Sequence, residues 1–212
     1  MKAKMAMAAA LATLVTVGGV YATWTFSEGN VTNASTTVNV AMTGVNATTE
    51  KGTLSVMVKH TNGFTLALDD ANNDHYAELK KTGNVLITFT PSATASQAVK
   101  DDGIDVQLAI SYTAHTGGPA SLEEWKYEDT QIFKILNDAS APIHLDNEDA
   151  VKGTDGVFTW TVDAADVGIT LTDEIDDVLI DTLAKYNALG EVLAKGYFTL
   201  TVSECTTASH NL

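Results

Sequence analysis

One acidic segment carries oxygen-bearing side chains at the spacing of a calcium-binding loop. The ligand types stand at alternate positions, Asp70, Asn72 and Asp74, and calcium prefers such carboxylate and amide oxygens. An EF-hand is excluded, because His75 stands where glycine is required and Lys81 where a bidentate glutamate is required. The pattern therefore predicts a looser calcium site at these three residues. The acidic turn Asp146–Asp149 is a second possible place for such a site, and the alternative at both places is an ordinary solvated loop.

Other metal and nucleophile chemistry has no motif in this sequence. A zinc hydrolase needs two histidines one helical turn apart with a glutamate between them, and no His-Glu-x-x-His run occurs. The histidines are scattered, at His60, His75, His115, His144 and His210. The Gly-x-Ser-x-Gly motif and glycine-rich phosphate loops are also absent. We therefore predict no catalytic residues, no enzyme activity and no cofactor other than calcium.

Two features of the sequence concern covalent modification. The chain contains one cysteine, Cys205, so an intramolecular disulfide is excluded, and the thiol is either inert or forms an intermolecular bridge. Asn30, Asn33 and Asn46 begin Asn-x-Ser/Thr sequences that fit N-glycosylation. A chain rich in asparagine and threonine produces that pattern by chance equally well, so glycosylation stays open.

The first 22 residues have the three parts of a secretory signal peptide. Two lysines near the start are followed by an apolar stretch, Met5–Val17, and then by small residues up to Ala22. An uncleaved membrane anchor is the alternative, but a glycine pair after the apolar stretch weakens a helix there. We therefore predict cleavage between Ala22 and Thr23, which leaves a single secreted domain over residues 23–212.

The chain of 212 residues is strongly acidic, with 27 Asp and Glu against 12 Lys and Arg and a formal net charge of −15. Loss of the two lysines of the signal peptide takes the mature chain to −17. Nucleic acids and anionic lipids bind clustered basic residues, so both are excluded as partners. No second apolar segment is long enough to hold the mature chain in a membrane.

Alternation of apolar and small polar residues predicts about nine or ten β-strands. The longest run extends from Ile104 to Tyr112, and another runs from Phe198 to Val202. The segments around Val56 and Leu66 alternate in the same way and are separated by a turn-like Thr-Asn-Gly, which predicts a meander of hairpins. Threonine-rich outer faces opposite the apolar positions indicate a β-sandwich or a barrel.

Two segments depart from this alternation and predict inserted helices. Apolar residues recur at helical spacing over 173–189, with Thr172 as a cap at the start and Gly190 near the end. A shorter helix is predicted over 121–127, where Ser121 and Glu124 have the spacing of a capping box.

The junction Val17–Trp24 resembles the signal region of the TasA/camelysin group of secreted Gram-positive proteins. In that group a glycine pair precedes an aromatic residue, an alanine and the cleavage site, as in Gly18–Ala22 here. The likeness continues to Phe26 and includes the segments Ser35–Met42 and Gly196–Thr201. Elsewhere the resemblance is only architectural.

The resemblance implies a jelly-roll-like antiparallel β-sandwich that serves as a secreted subunit of biofilm-matrix fibres. A dedicated signal peptidase would process the chain, and its partners would be further copies of itself and a second matrix protein. In the group's fibres the freed N-terminal segment is thought to complete the sheet of a neighbouring subunit. Carried onto this chain, the donor strand is Thr23, Trp24, Thr25 and Phe26, within a donor segment over 23–31.

Strand addition of this kind agrees with the physics of sheets. An exposed sheet edge accepts a further strand through backbone hydrogen bonds, and Trp24 and Phe26, two positions apart, would share one face. The alternative is that residues 23–28 pair within their own subunit as an ordinary first strand.

Two other classes of function remain as alternatives. A monomeric surface adhesin or carbohydrate-binding sandwich would present loop aromatics to a ligand, and Trp125 and Tyr127 are the candidates. Camelysin-like members also carry a metalloprotease label, which this chain does not support because the zinc motif is absent.

Overall fold

The computed structural model describes residues 37–59, 64–69, 76–175, 178, 180 and 183–205. Strands dominate this part of the chain. In chain order they are β1 (Thr37–Asn39), β2 (Met42–Val45), β3 (Ala47–Thr48), β4 (Gly52–Lys59), β5 (Phe64–Asp69), β6 (Tyr76–Lys81), β7 (Asn84–Pro91), β8 (Val106–Ala114), β9 (Lys126–Tyr127), β10 (Thr130–Gln131), β11 (Phe133–Ile135), β12 (Ile143–Leu145), β13 (Val151–Lys152), β14 (Phe158–Asp163), β15 (Ile169–Leu171) and β16 (Gly196–Glu204). Two α-helices accompany them within these ranges, α1 (Gln97–Asp102) and α2 (Leu183–Leu193).

Two sheets pack face to face and enclose the core. The four-stranded sheet has the order β12-β8-β16-β2, and the five-stranded sheet has the order β13-β14-β7-β4-β3. Alternate residues of the long inner strands point between the sheets and are buried, namely Leu54, Val56, Val85, Ile87, Phe89, Val106, Leu108, Ile110, Phe158, Trp160, Val162, Phe198, Leu200 and Val202. The predicted all-β sandwich with few helices is therefore confirmed.

The last strand of the described chain lies inside the four-stranded sheet. On one side β16 pairs antiparallel with the whole of β8, from Gly196 opposite Ala114 onward. On its other side β16 pairs with β2, with Met42 opposite Phe198. The β2–β16 pair is parallel, whereas the other strand pairs of the described residues are antiparallel.

Consecutive strands turn from one sheet into the other at both lateral edges of the sandwich. β2 ends the four-stranded sheet and β3 ends the five-stranded sheet, and only Asn46 separates them. On the opposite side β12 and β13 likewise end the two sheets, with residues 146–150 between them. At the first corner a Cβ on Gly44 would lie 2.4 Å from the carbonyl oxygen of Val56, so β2 passes over β4 where only glycine fits. All four edge strands are short, which limits edge-to-edge pairing.

The predicted meander is wrong at one step, because β4 and β5 belong to different sheets. β4 pairs with β7 and β3, whereas β5 pairs with β1 and β6 in a separate three-stranded sheet. Both strands alternate and a turn-like sequence joins them, but two buried apolar faces can pack across a sandwich as well as side by side. Alternation alone does not distinguish these two arrangements.

A cluster of aromatic rings fills one end of the core. The ring centroids of Trp125 lie 5.0 Å from Tyr112, 5.1 Å from Phe133 and 5.6 Å from Phe198. The indole nitrogen of Trp125 donates a hydrogen bond of 2.8 Å to the carbonyl oxygen of Val192 in α2. The cluster therefore attaches the helix to the sandwich.

The later helix begins well after its predicted start. Residues 173–174 form a turn, and α2 extends from Leu183 through Gly190 to Leu193. The hydroxyl of Thr172 does not cap a helix, because it donates a hydrogen bond to the carbonyl oxygen of Gln131. The backbone N–H of Thr172 donates to the carbonyl oxygen of Ile132. These bonds hold Thr172 to the neighbouring strand, and Ile175 and Ile180, which follow it, are buried.

The predicted helix over 121–127 is a turn followed by a strand. The backbone N–H of Glu124 donates a hydrogen bond of 3.2 Å to the carbonyl oxygen of Ser121, and the chain then continues into β9. Burial of Trp125 in the core draws the backbone away from a helical path. Helix α1 was not predicted from the sequence, although Ser96 caps its start and Gly103, at φ 82°, ends it.

Candidate functional site

The predicted signal and donor residues lie outside the described part of the chain. These residues are Ala22, Thr23, Trp24, Thr25 and Phe26, together with the rest of the segment 23–31. The described chain begins in β1, which forms one edge of the three-stranded sheet, with Thr37 opposite Ala67. In the sequence, five residues, 32–36, therefore lie between the predicted donor segment and an edge strand.

The predicted calcium ligands Asp70, Asn72 and Asp74 also lie outside the described residues. They belong to the connection 70–75 between β5 and β6, whose last pair is Asp69 opposite Tyr76. Among the residues that the structure does describe, no group of three or more His, Cys, Asp or Glu side chains could hold a metal ion. Calcium binding therefore stays a prediction from the sequence.

Trp125 and Tyr127 are core residues and cannot contact a ligand as a surface adhesin requires. Their exposed fractions are 1% and 3%. The hydroxyl of Tyr127 donates to the carbonyl oxygen of Lys185 over 3.1 Å, so its polar end is also directed at α2. The prediction that these two aromatic side chains are exposed to a ligand is wrong. A polar stretch of sequence can still direct its aromatic side chains into the core when a helix packs over them.

An open cleft of about 310 Å³ lies where the end of β16 meets the start of β8. Lys51 and Glu204 form an ion pair at its rim. On the opposite side the carboxylate of Asp105 accepts a hydrogen bond of 2.9 Å from the backbone N–H of Asn147. Cys205 completes the lining, and its backbone N–H donates to the carbonyl oxygen of Asp105 over 2.9 Å.

The thiol of Cys205 lies 3.6 Å from Nδ1 of His144 beside this cleft. Strand register brings the two together, because Leu145 of β12 pairs with Val106 and Val106 pairs with Glu204. The two side chains are within hydrogen-bonding distance, and which of them donates depends on the tautomer of the imidazole. This pair was not predicted, and nothing in the sequence could have revealed it, since only the order of the strands joins the two residues.

Two titratable groups at structural contacts, Tyr112 and Lys81, have shifted pKa values. Burial raises the pKa of Tyr112, and the nearby charge of Glu124 adds to the effect. Burial lowers the pKa of Lys81, whereas the charge of Asp166 acts in the opposite direction. The ammonium group of Lys81 donates to the carbonyl oxygen of Val167 over 2.8 Å, which joins the three-stranded sheet to the loop before β15.

Asn46 is the one predicted glycosylation position inside the described residues. Its side chain is exposed, and its Oδ1 accepts a hydrogen bond of 3.1 Å from the backbone N–H of Val56. Asn30 and Asn33 lie outside the described part of the chain. The Asn46 side chain therefore has a structural role at the corner between the two sheets.

Comparison with known proteins gives no relative from which a function could be transferred. No family model matches the sequence, and no curated protein or solved structure matches it. Of the helices that the structure describes, none is long and apolar enough to cross a membrane. A functional proposal must therefore rest on the fold and on the residues themselves.

Proposed function

We propose that this chain is a secreted structural subunit of extracellular fibres and that it assembles by addition of its N-terminal strand to a neighbouring copy. The observation that carries the proposal is the position of β1, an edge strand that follows the predicted donor segment after five intervening residues, 32–36. A segment that precedes an edge strand is well placed to leave its own subunit and to join the edge of another.

Chain length supports pairing between subunits. Ten residues separate Phe26 from Thr37, and the eleven Cα-to-Cα steps between these two residues span up to about 40 Å when the chain is fully extended. A compact domain of this size has a radius of gyration of about 16 Å. The donor residues can therefore extend past the surface of their own subunit.

The closed sides of the sandwich support a specific contact instead of general aggregation. At both lateral edges of the sandwich the outermost strands are short. The chain passes there from one sheet to the other, from β2 to β3 and from β12 to β13. Edges covered in this way do not pair freely with other chains. Growth through one donor segment would then give a linear fibre, since a head-to-tail contact that does not close continues indefinitely.

Electron microscopy of the purified mature protein tests the proposal. We expect the parent chain to polymerise and the variant Trp24→Ser with Phe26→Ser to remain monomeric, because two aromatic anchors on one strand face are lost. Thr25→Ser is the matched control on the opposite face and should still polymerise. Intact mass of the secreted chain should show cleavage after Ala22.

Thermal unfolding of the same variants separates pairing between subunits from pairing within one subunit. If the donor joins a neighbour, the monomeric double variant should unfold at the temperature of the parent monomer. A large fall in that temperature would mean that the segment is an ordinary first strand. Unchanged fibre formation by the double variant would contradict strand donation altogether.

A further inference from the structure

The cleft beside Cys205 lies at one end of the space between the two sheets. Glu204 follows the buried Leu200 at an even spacing along β16, which places its side chain at the end of the core. Ile104, two residues before β8, is buried and forms part of the lining, and Lys51 directly precedes β4 of the other sheet. We call this opening the far cleft.

The far cleft and the point at which the described chain enters the sandwich lie at opposite ends. β1 continues through Val40 and Ala41 into β2, whose Met42 pairs with Phe198 near the start of β16. The far cleft lies at the other end of β16, at Glu204. The extended chain from Phe198 to Glu204 spans about 20 Å. A straight head-to-tail fibre needs its donating and receiving surfaces on opposite ends of the subunit, and the far cleft meets that condition.

The volume of the far cleft suits the two aromatic rings of the predicted donor strand. An apolar cavity of about 150 Å³ holds one benzene ring, and the far cleft has about 310 Å³. Trp24 and Phe26 are two positions apart, so their rings extend from the same face of an extended strand. Val99 and Ile104 give the far cleft an apolar part against which such rings can pack. The far cleft therefore has room for two side chains of about this size.

The charges of the far cleft match the amino group that cleavage of the signal peptide would create. The charged residues of its lining are Lys51, Asp105 and Glu204, so carboxylates exceed ammonium groups by one. The two carboxylates already accept hydrogen bonds from Asn147 and Lys51, but a carboxylate has about four acceptor sites. Cleavage would give Thr23 an α-ammonium group, which is mostly protonated at about pH 7 because its ordinary pKa is about 8.

We infer that the far cleft receives residues 23–26 of a neighbouring copy, with both aromatic rings inside it and the α-ammonium group at Asp105 and Glu204. The inference rests on the proposed fibre function and names the receiving site for the donor strand. It also restricts assembly to processed chains, because a precursor that still carries residues 1–22 has no amino group beside Trp24.

A synthetic peptide of residues 23–31 tests the inference. It is added to the mature double variant Trp24→Ser with Phe26→Ser, whose own segment lacks the aromatic rings and so leaves the far cleft open. We expect the peptide to bind in isothermal titration calorimetry. Its N-acetylated form should bind at least about tenfold more weakly, because acetylation removes the positive charge. Equal affinity of the two peptides would overturn the inference.

The thiol of Cys205 reports whether the peptide binds in the far cleft, because it lines the cleft and is the single cysteine of the chain. The bound peptide should slow the reaction of this thiol with iodoacetamide, since a covered thiol is less accessible. An unchanged rate with the peptide bound would place the binding elsewhere and overturn the inference. Protection by a peptide of residues 206–212, without protection by residues 23–31, would identify the chain's own end as the occupant and would also overturn it.

Two glutamate substitutions provide a matched pair of variants. Glu204→Lys and Glu191→Lys change the net charge equally, but Glu204 lines the far cleft, whereas Glu191 is exposed on α2, which precedes the start of β16. We expect Glu204→Lys to weaken peptide binding at least about tenfold and to prevent fibre formation, because like charges then meet. Glu191→Lys should leave both unchanged, and equal effects of the two substitutions would contradict the inference. Circular dichroism confirms that each variant is folded.

Failure of the fibre proposal is distinguishable from failure of this inference. Peptide binding that protects Cys205 and is lost in Glu204→Lys upholds the inference even if the parent chain forms closed dimers and no fibres. Equal fibre formation by the parent and Glu204→Lys overturns the inference and leaves the fibre proposal intact. A parent chain that stays monomeric and excludes the peptide, while the double variant binds it, places each segment in its own cleft and overturns both.

Discussion

The hydroxyl of Tyr112 donates a hydrogen bond of 3.0 Å to the carbonyl oxygen of Pro119, which holds the loop after β8 against the sandwich. Burial raises the pKa of this hydroxyl, and the charge of Glu124 raises it further. Folding therefore favours the neutral phenol, whose proton also makes the hydrogen bond. This residue links the titration of one side chain to the stability of the fold.

The pH dependence of stability should reveal Tyr112. Its contribution is fully present below the ordinary tyrosine pKa of about 10 and is lost as the pH rises through the higher pKa of the folded state. We expect the free energy of unfolding to fall less steeply above about pH 10 in Tyr112→Phe than in the parent chain. Absorbance titration should also lose one late-ionising tyrosine, and an unchanged curve would contradict the assignment.

Single residues show most clearly what the sequence could not reveal. Trp125 stands in a polar segment beside glutamates, yet its exposed fraction is 1% because Phe133, Phe198 and α2 surround it. The Cys205–His144 pair likewise depends on two neighbouring strand registers. Residue type and spacing along the chain do not contain this information, since both environments are made by segments distant in sequence.

Elements with regular alternation were predictable, and short ones were not. The alternating run that ends at Tyr112 forms β8, and the run from Phe198 to Val202 lies in β16, as the sequence predicts. Brief strands such as β3, β9 and β13 contain only two residues each. A segment of that length shows no periodicity, so its structure is decided by the neighbour with which it pairs.

Gly44 provides a test of how β2 turns from one sheet toward the other. A Cβ there would lie 2.4 Å from the carbonyl oxygen and 2.8 Å from Cβ of Val56. The backbone oxygen cannot rotate away, so we expect Gly44→Ala to lower the free energy of unfolding by about 1–3 kcal/mol. Urea denaturation of the purified protein measures the change.

Gly156→Ala is the control for conformational cost alone. Gly156 has a φ of 78°, and a Cβ at this position would have no neighbouring atom within 4 Å, so substitution there adds only backbone strain. That strain is about 1–2 kcal/mol. If Gly44→Ala were neutral while Gly156→Ala destabilised the protein, close approach at the corner would not be the reason for glycine at position 44.

Over the whole molecule, the class of fold followed from the sequence but the topology did not. Alternating strands and a threonine-rich composition were enough for an all-β sandwich. The placement of β16 between β8 and β2, and the separation of β4 from β5, depend on which buried faces meet. Many pairings bury the same apolar residues, so only the folded structure distinguishes them.

The central position of β16 predicts unequal effects of neighbouring substitutions. Leu200 is fully buried between the sheets, whereas Thr201 is exposed on the outer face. Leu200→Asp should prevent stable folding, because an unpaired buried carboxylate costs several kcal/mol, and Thr201→Asp should cost about 1 kcal/mol or less. Limited proteolysis compares the two variants, and equal resistance would contradict the placement of this strand.

The chain order of the four-stranded sheet also affects when the protein can fold. β2 and β8 are made early, but the strand that joins them is the last one described. A growing polypeptide that does not yet include β16 cannot complete the four-stranded sheet. Pairings between strands that are so distant in sequence also form slowly. Nascent chains would therefore stay unfolded until β16 has been synthesised.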